Sequence, residues 1–281
     1  MASYWLLYLF IYLFSYHIAQ TVQEEIEYEC VNIYKQPAFQ HPLMKDHQIQ
    51  MRPSVEFQAM VSTEPKTSDL ITSESEEREK DVISSIQFGW AVHTGLYRDD
   101  RPRLTTYWIS GKHPNGCYNA LCRGGYVQVH KTIYPGMVYN KVSTLGKRQS
   151  TAHLLVGQDS RTKNWLLLTR STLIGYWPYQ IYSMQGASQV LFGGYTGGLA
   201  GATSPSMGAG TFPKEVGYRN KFSCFMKQLK CFEDKRLVDI DSNEFEEYVD
   251  SPKCYDVWFR KFEIGQGEML TFGGPGGQCG I

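Results

Sequence analysis

The chain has no net charge: 28 basic residues balance 28 acidic ones over 281 residues. A general nucleic-acid surface or an anionic-membrane surface needs a positive excess, so neither partner is expected. There is no Cys-x-x-Cys pair, and the seven histidines are scattered. No zinc ligand set follows from such spacing, and no metal or other cofactor is expected. No Asn-x-Ser/Thr acceptor for N-glycosylation occurs. Long apolar runs are also scarce. Trp5–Phe14 is nearly unbroken but falls short of the about 20 residues that cross a bilayer. The first 19 residues lack Lys, Arg, Asp and Glu, and small residues follow the run at Ser15 and Ala19. Residues 1–19 read as a signal peptide cut after Ala19, against the alternative of a buried core segment. No later segment is apolar enough to span, so no membrane contact is expected once the leader is gone.

Helical periodicity is sparse, confined to short stretches at Glu24–Tyr34 and Pro178–Ala187. Glycine and tyrosine are abundant instead, at 26 and 19 residues. Glycine together with β-branched and aromatic residues suits turn-rich β structure. Short runs of that kind recur at Ile83–Val92, Arg103–Ser110, Tyr126–Tyr134, Thr151–Gly157, Asn164–Arg170, Thr172–Trp177 and Gln189–Phe192. Turn signals such as Pro135-Gly136 and Gly157-Gln158-Asp159 punctuate them. Apolar and polar residues alternate in Tyr126–His130, the mark of a half-buried strand. The predicted fold is all-β, an antiparallel sandwich of two curved sheets with long Gly-rich loops. Phe192–Phe212 reads as one of those loops.

The earlier part of the chain differs. Residues 20–60 form a polar segment broken by Pro37 and Pro42. Residues 61–81 are dominated by Ser, Thr, Glu, Asp and Lys without an aromatic residue. Such a stretch buries too little to offset its ordering entropy, so it reads as a linker. The main domain is expected over 82–281.

Seven cysteines behind a leader suggest disulfides. Cys117 and Cys122 lie close together, and Cys254 and Cys279 bracket the C-terminal stretch. Both pairs read as structural disulfides. Cys224 and Cys231 offer a third loop, and Cys30 is left over.

Several motifs occur together and in order. They are Phe88-Gly89-Trp90, Leu104-Thr105-Thr106-Tyr107-Trp108, Gly116-Cys117-Tyr118-Asn119-Ala120-Leu121-Cys122, Asn164-Trp165, Gly175-Tyr176-Trp177-Pro178, Phe192-Gly193-Gly194, Met207-Gly208-Ala209-Gly210, Cys254-Tyr255-Asp256 and Phe272-Gly273-Gly274-Pro275-Gly276. This series resembles the neprosin family. Cys30–Phe39, continuing through His41-Pro42-Leu43 and Ile49–Pro53, is similar to the start of that family's activation peptide. The resemblance implies a secreted plant protein made as a zymogen, with a propeptide over an all-β catalytic domain. It also implies a glutamic peptidase that cuts beside proline at acidic pH. Two glutamates there form a general acid/base pair around a water, one ionised and one protonated.

At the two matching positions this chain has Gln87 and Tyr195. Glutamine still hydrogen-bonds but has no useful pKa. Tyrosine titrates near about 10, far from acidic conditions. Losing both carboxyls removes acid and base together, each worth about 10²–10⁴-fold. The chain is also short: only Ser54–Asp81 stands where the family has more propeptide and further strands. The family's second propeptide cysteine is missing with them, so Cys30 is either unpaired or a partner of Cys224 or Cys231. A missing strand would expose a sheet edge.

Three functional readings follow. The first is a secreted, catalytically inactive homologue whose cleft binds proline-containing peptides. The second is an active proline-specific peptidase using other carboxylates, Asp99 or Asp100, which otherwise read as a solvated turn. The third is a structural or non-functional product of a shortened gene. The aromatic positions Trp90, Tyr107, Trp108, Tyr118, Tyr176 and Trp177 either pack the core, the weightier reading, or line the cleft. Asp159 and Glu215 read as surface residues. His93, His113, His130 and His153 make no triad with Ser or Cys.

Overall fold

The β-branched and aromatic run Arg103–Ser110 forms strand β2, the middle of a three-stranded sheet. Its neighbours are β1 (Ser85–Ala91) and β3 (His113–Tyr118), both antiparallel to it. These come from a computed structural model that describes residues 31–62, 84–111, 113–197, 201–216, 220–233, 236–240, 245–261 and 268–279. The signal peptide, most of the linker and Cys30 lie outside the described residues.

A second sheet contains β4 (Val127–Gln128), β5 (Leu155–Gln158), β6 (Trp165–Thr169) and β7 (Thr172–Trp177) in the order β4-β7-β6-β5. A third is built from β8 (Cys224–Lys227), β11 (Asp256–Lys261) and β12 (Glu268–Gly273), ordered β11-β12-β8. Strands β9 (Lys230–Glu233) and β10 (Arg236–Asp239) pair as a hairpin. Every pairing is antiparallel, so the protein is all-β, as composition predicted.

One hydrophobic cluster joins the first two sheets, with Leu104, Trp108, Tyr126, Leu166, Ile174, Tyr176 and Trp177 among its buried members. A smaller one surrounds Leu270 and Phe272 of β12. β6 and β7 are buried on nearly every residue. Such strands read as continuous apolar runs rather than alternating ones, which is why Trp165-Leu166-Leu167-Leu168 shows no period of two.

The chain divides into two compact units, Met1–Lys35 and Gln36–Ile281. In the first, Ile33–Lys35 makes one 3₁₀ turn, with the Tyr34 N–H donating to Asn32 Oδ1 at 2.9 Å. In the second, residues 36–62 are part of the main core. Ala38, Met44 and Phe57 are fully buried in the first cluster. Phe57 sits on helix α1 (Val55–Ser62), which the sequence reading missed and which carries the first two residues of the expected linker. Gln36 behaves like a strand residue: its Nε2 donates to the Gln128 carbonyl at 2.9 Å and its Oε1 accepts the Gln128 N–H at 2.7 Å.

Other expectations need correction. The run Tyr126–Tyr134 is strand only at Val127–Gln128, after which the Val129 and His130 N–H groups both donate to the Ile174 carbonyl. His130 Nδ1 accepts the N–H groups of Thr132 and Ile133 at 3.2 and 3.0 Å, turning the chain out of the sheet. Gln189–Phe192 pairs with no strand, and Val190 and Leu191 are exposed. Pro178–Ala187 is not helical. It turns once, through Ile181 and Tyr182 N–H bonds to the Pro178 carbonyl.

Asp159 is the largest departure, because it is fully buried. Its Oδ2 accepts from the Ser54 N–H and Gln50 Nε2, both at 2.8 Å, and its Oδ1 from the Arg161 N–H at 3.0 Å. Burial disfavours the charge, but these donors outweigh it and hold the carboxyl below the usual range. An apparently isolated aspartate therefore ties residues 50–54 to the β5–β6 turn. His47 adds a second tie, with Nε2 at 2.7 Å from the Tyr176 hydroxyl, and burial lowers its pKa.

Candidate functional site

Across paired antiparallel strands, residues directly opposite share a face of the sheet. Gln87 on β1 stands opposite Tyr107 on β2, and Tyr107 stands opposite Tyr118 on β3. The three form a row across the sheet. Tyr107 and Tyr118 place their ring centroids 4.7 Å apart. Both are partly buried, whereas Gln87 is exposed. Burial raises the pKa of Tyr118, and the neighbouring phenols of Tyr107, Tyr195 and Tyr97 raise it further. Tyr195, 108 positions along the chain from Gln87, thus lies close enough to Tyr118 to act on its phenol.

Close packing sets where Tyr195 emerges. A side chain at Gly194 would run into the Phe272 ring and the Met207 thioether, so only glycine lets this loop lie against β12. Phe192 anchors it in the second hydrophobic cluster. Tyr195 is left 91% exposed. Gly116, at φ +66°, plays a similar part for Tyr107, because any side chain there would strike the phenol ring.

Residues to which the sequence assigned no site role hold the row in place. Asn119, at φ 51°, donates from Nδ2 to the Tyr97 hydroxyl at 2.9 Å and accepts the Thr106 N–H on Oδ1 at 3.0 Å. The Tyr97 hydroxyl is 2.8 Å from Thr105 Oγ1. His93 caps the turn Thr94–Tyr97, accepting the Leu96 N–H on Nδ1 at 3.1 Å, and meets the Tyr118 ring edge-on at 5.2 Å. The sequence signals for these were the placement of Asn119 inside the Cys117–Cys122 motif and of Thr105 and Thr106 inside the Leu104–Trp108 motif. That disulfide is present, as is Cys254–Cys279. Cys224 and Cys231 do not join to each other, and burial pushes the Cys224 thiol up to about 11.

The six aromatic candidates separate by burial. Trp108, Tyr176 and Trp177 are fully buried. Trp108 packs edge-on to Tyr182 at 5.9 Å and Trp177 edge-on to Tyr126 at 5.0 Å, while Tyr176 is the partner of His47. These three belong to the core and line no open surface. Trp90 is exposed, but it stands opposite Leu104 and so faces away from Gln87. Of the six, only Tyr107 and Tyr118 share the row of Gln87.

The carboxylates offered as replacements are placed differently. Asp99 is bound to Arg103, fully buried, at 2.6 Å and to Arg101 at 2.8 Å. The Arg103 hydrogen bond, helped by Arg101, pulls its carboxyl down to about 2. Arg103 in turn donates to the Gly136 carbonyl at 2.7 Å and lies over the Tyr97 ring. Asp99 is thus the counter-ion of a buried arginine rather than part of a solvated turn. Asp100 beside it is exposed. Among the described residues no cluster of His, Cys, Asp and Glu suits a metal ion.

The family-wide sequence pattern of neprosin matches residues 66–275. The chain belongs to the neprosin family. The match covers the whole series of motifs from Phe88-Gly89-Trp90 to Phe272-Gly273-Gly274-Pro275. It also includes both positions at which neprosin peptidases are expected to carry glutamate. In this neprosin-family chain those positions hold an amide, Gln87, and a phenol, Tyr195.

Proposed function

We propose that this neprosin-family protein is a secreted, catalytically inactive homologue that binds proline-containing peptides over the Gln87–Tyr107–Tyr118 row. The observation that carries this reading is the replacement of both carboxyl positions, by Gln87 and Tyr195. An amide cannot take the proton of a water. Tyr118, the second phenol of the row, is pushed above its ordinary value by burial, away from acidic conditions. The row therefore offers neutral hydrogen-bond donors and flat rings rather than an acid/base pair. Those are the groups that suit a proline-rich segment, which is stiff and presents ring faces and unpaired carbonyls. Two disulfides, and the lack of a membrane-crossing helix among the described residues, are compatible with an extracellular location.

The test is incubation of the purified chain with a proline-rich peptide at acidic pH, with products read by mass spectrometry and binding by calorimetry. Binding without cuts is the expected result. Cuts beside proline that track the pure protein would overturn inactivity. No heat of binding from the folded protein would overturn the peptide-binding role.

A further inference from the structure

β1 lies at the edge of its sheet: among the described residues, β2 pairs with one side of it and no strand with the other. Such an edge presents backbone N–H and C=O groups ready to pair with another chain. Native edges are usually blunted by lysine, proline or inward charge. Ser85-Ile86-Gln87-Phe88-Gly89-Trp90-Ala91 has none of these. On the face shared by Ile86, Phe88 and Trp90, Phe88 is 40% and Trp90 49% exposed, and Val92 just beyond is 49% exposed. β1 thus combines an open ladder with an apolar strip.

We propose that β1 pairs with β1 of a second copy of this chain, antiparallel and about a two-fold axis at Phe88. The strand is self-complementary in that register. Phe88 meets its own copy, Ile86 meets Trp90, Gln87 meets Gly89 and Ser85 meets Ala91, so all seven residues pair. Ile86, Phe88 and Trp90 of both copies merge into one apolar strip. On the other face, Gly89 has open space beside its backbone, which receives the Gln87 side chain. No charge opposes a like charge, since the strand has none and the chain as a whole is neutral. The two three-stranded sheets become one of six strands, and the two-fold closes the assembly.

The contact is small. Each half-exposed aromatic ring contributes about 100 Å², half of what a buried aromatic side chain covers. Together with seven residues of backbone edge, the total falls at the low end of specific interfaces, below about 1,200 Å². The dimer is therefore concentration-dependent. The tyrosine rows of the two copies lie on one continuous face, but the pairing does not depend on peptide binding.

The first experiment is sedimentation of the intact chain over about a hundredfold range of concentration. Monomer at the bottom of the range and dimer at the top is expected, with Phe88→Lys monomeric throughout and its melting temperature little changed. The register is tested by oxidation. Facing Phe88 positions would have Cα atoms about 4.5–5.5 Å apart, within disulfide reach. Phe88→Cys should therefore give a reducible covalent dimer. Val92→Cys should give none, because its two copies would lie about 26 Å apart along the strands. A monomer at every concentration, a dimer unaffected by Phe88→Lys, or equal cross-linking by Val92→Cys would each overturn the proposal. So would a monomer whose β1 instead takes up an extended peptide, detected as a change in Trp90 fluorescence.

Discussion

Tyr107 and Tyr118 face each other across β2 and β3 with ring centroids 4.7 Å apart, and Gln87 stands on the other side of Tyr107. This contact fixes the middle of the proposed peptide site. Truncating Tyr118 removes one stacking face and one hydroxyl, an effect of about 1–2 kcal/mol, or roughly tenfold in affinity. Tyr118→Ala should weaken binding of a proline-rich peptide by that factor in calorimetry. Tyr118→Phe should weaken it less, because the ring remains. Unchanged affinity in Tyr118→Ala would move the site elsewhere.

Restoring the chemistry requires both carboxyls. Gln87→Glu alone should produce no cleavage of a proline-rich peptide at acidic pH, since Tyr195 still supplies no acid. Gln87→Glu with Tyr195→Glu should produce weak cleavage detectable by mass spectrometry. Activity in the single variant would show that another group already serves as the second member of the pair.

Arg103 is fully buried and Asp99 is its counter-ion at 2.6 Å. Asp99→Asn keeps the shape but removes the carboxylate bound to the buried guanidinium at 2.6 Å, a loss of about 3 kcal/mol. Denaturant unfolding should show that loss. Asp100→Asn, at an exposed position, should change stability little. Equal effects would mean that Arg103 does not depend on Asp99.

Acid should loosen the attachment of residues 36–62. Burial lowers the His47 pKa, so folding favours the neutral imidazole. Its contribution is complete above the unfolded value of about 6.5 and is lost as pH falls below it. Asp159 is also lowered, held ionised against its burial by Ser54, Arg161 and Gln50. Its contribution is present above about 3.9 and is lost as pH falls through the lower folded value. Thermal melts should thus decline in two stages on acidification. His47→Gln should remove the upper stage, and Asp159→Asn should lower stability by about 2 kcal/mol at neutral pH. A pH profile unchanged in His47→Gln would disprove the role of that ring.

The strands that could be read from sequence are those with partners on both sides or a clear apolar signal. Arg103–Ser110 and Thr172–Trp177 form strands at their expected bounds. The C-terminal strands β8–β12 were missed, as was α1, whose only fully buried side chain is Phe57. A single buried residue leaves no periodic trace.

Order along the chain was enough to identify the neprosin family, the two disulfides, the all-β class and the two positions without glutamate. These depend on residue identity and local spacing, which sequence carries directly. Only tertiary packing decided which aromatic rings are core and which face solvent, because a ring's burial depends on what another strand sets against it. Packing likewise made Asp159 and Asp99 structural: Asp159 is held by Gln50 and Ser54, distant in the chain, and Asp99 by an arginine only four residues on, whose burial no local pattern shows. Finally, it left β1 without a second neighbour among the described residues, a property of the sheet's strand order rather than of the seven residues themselves.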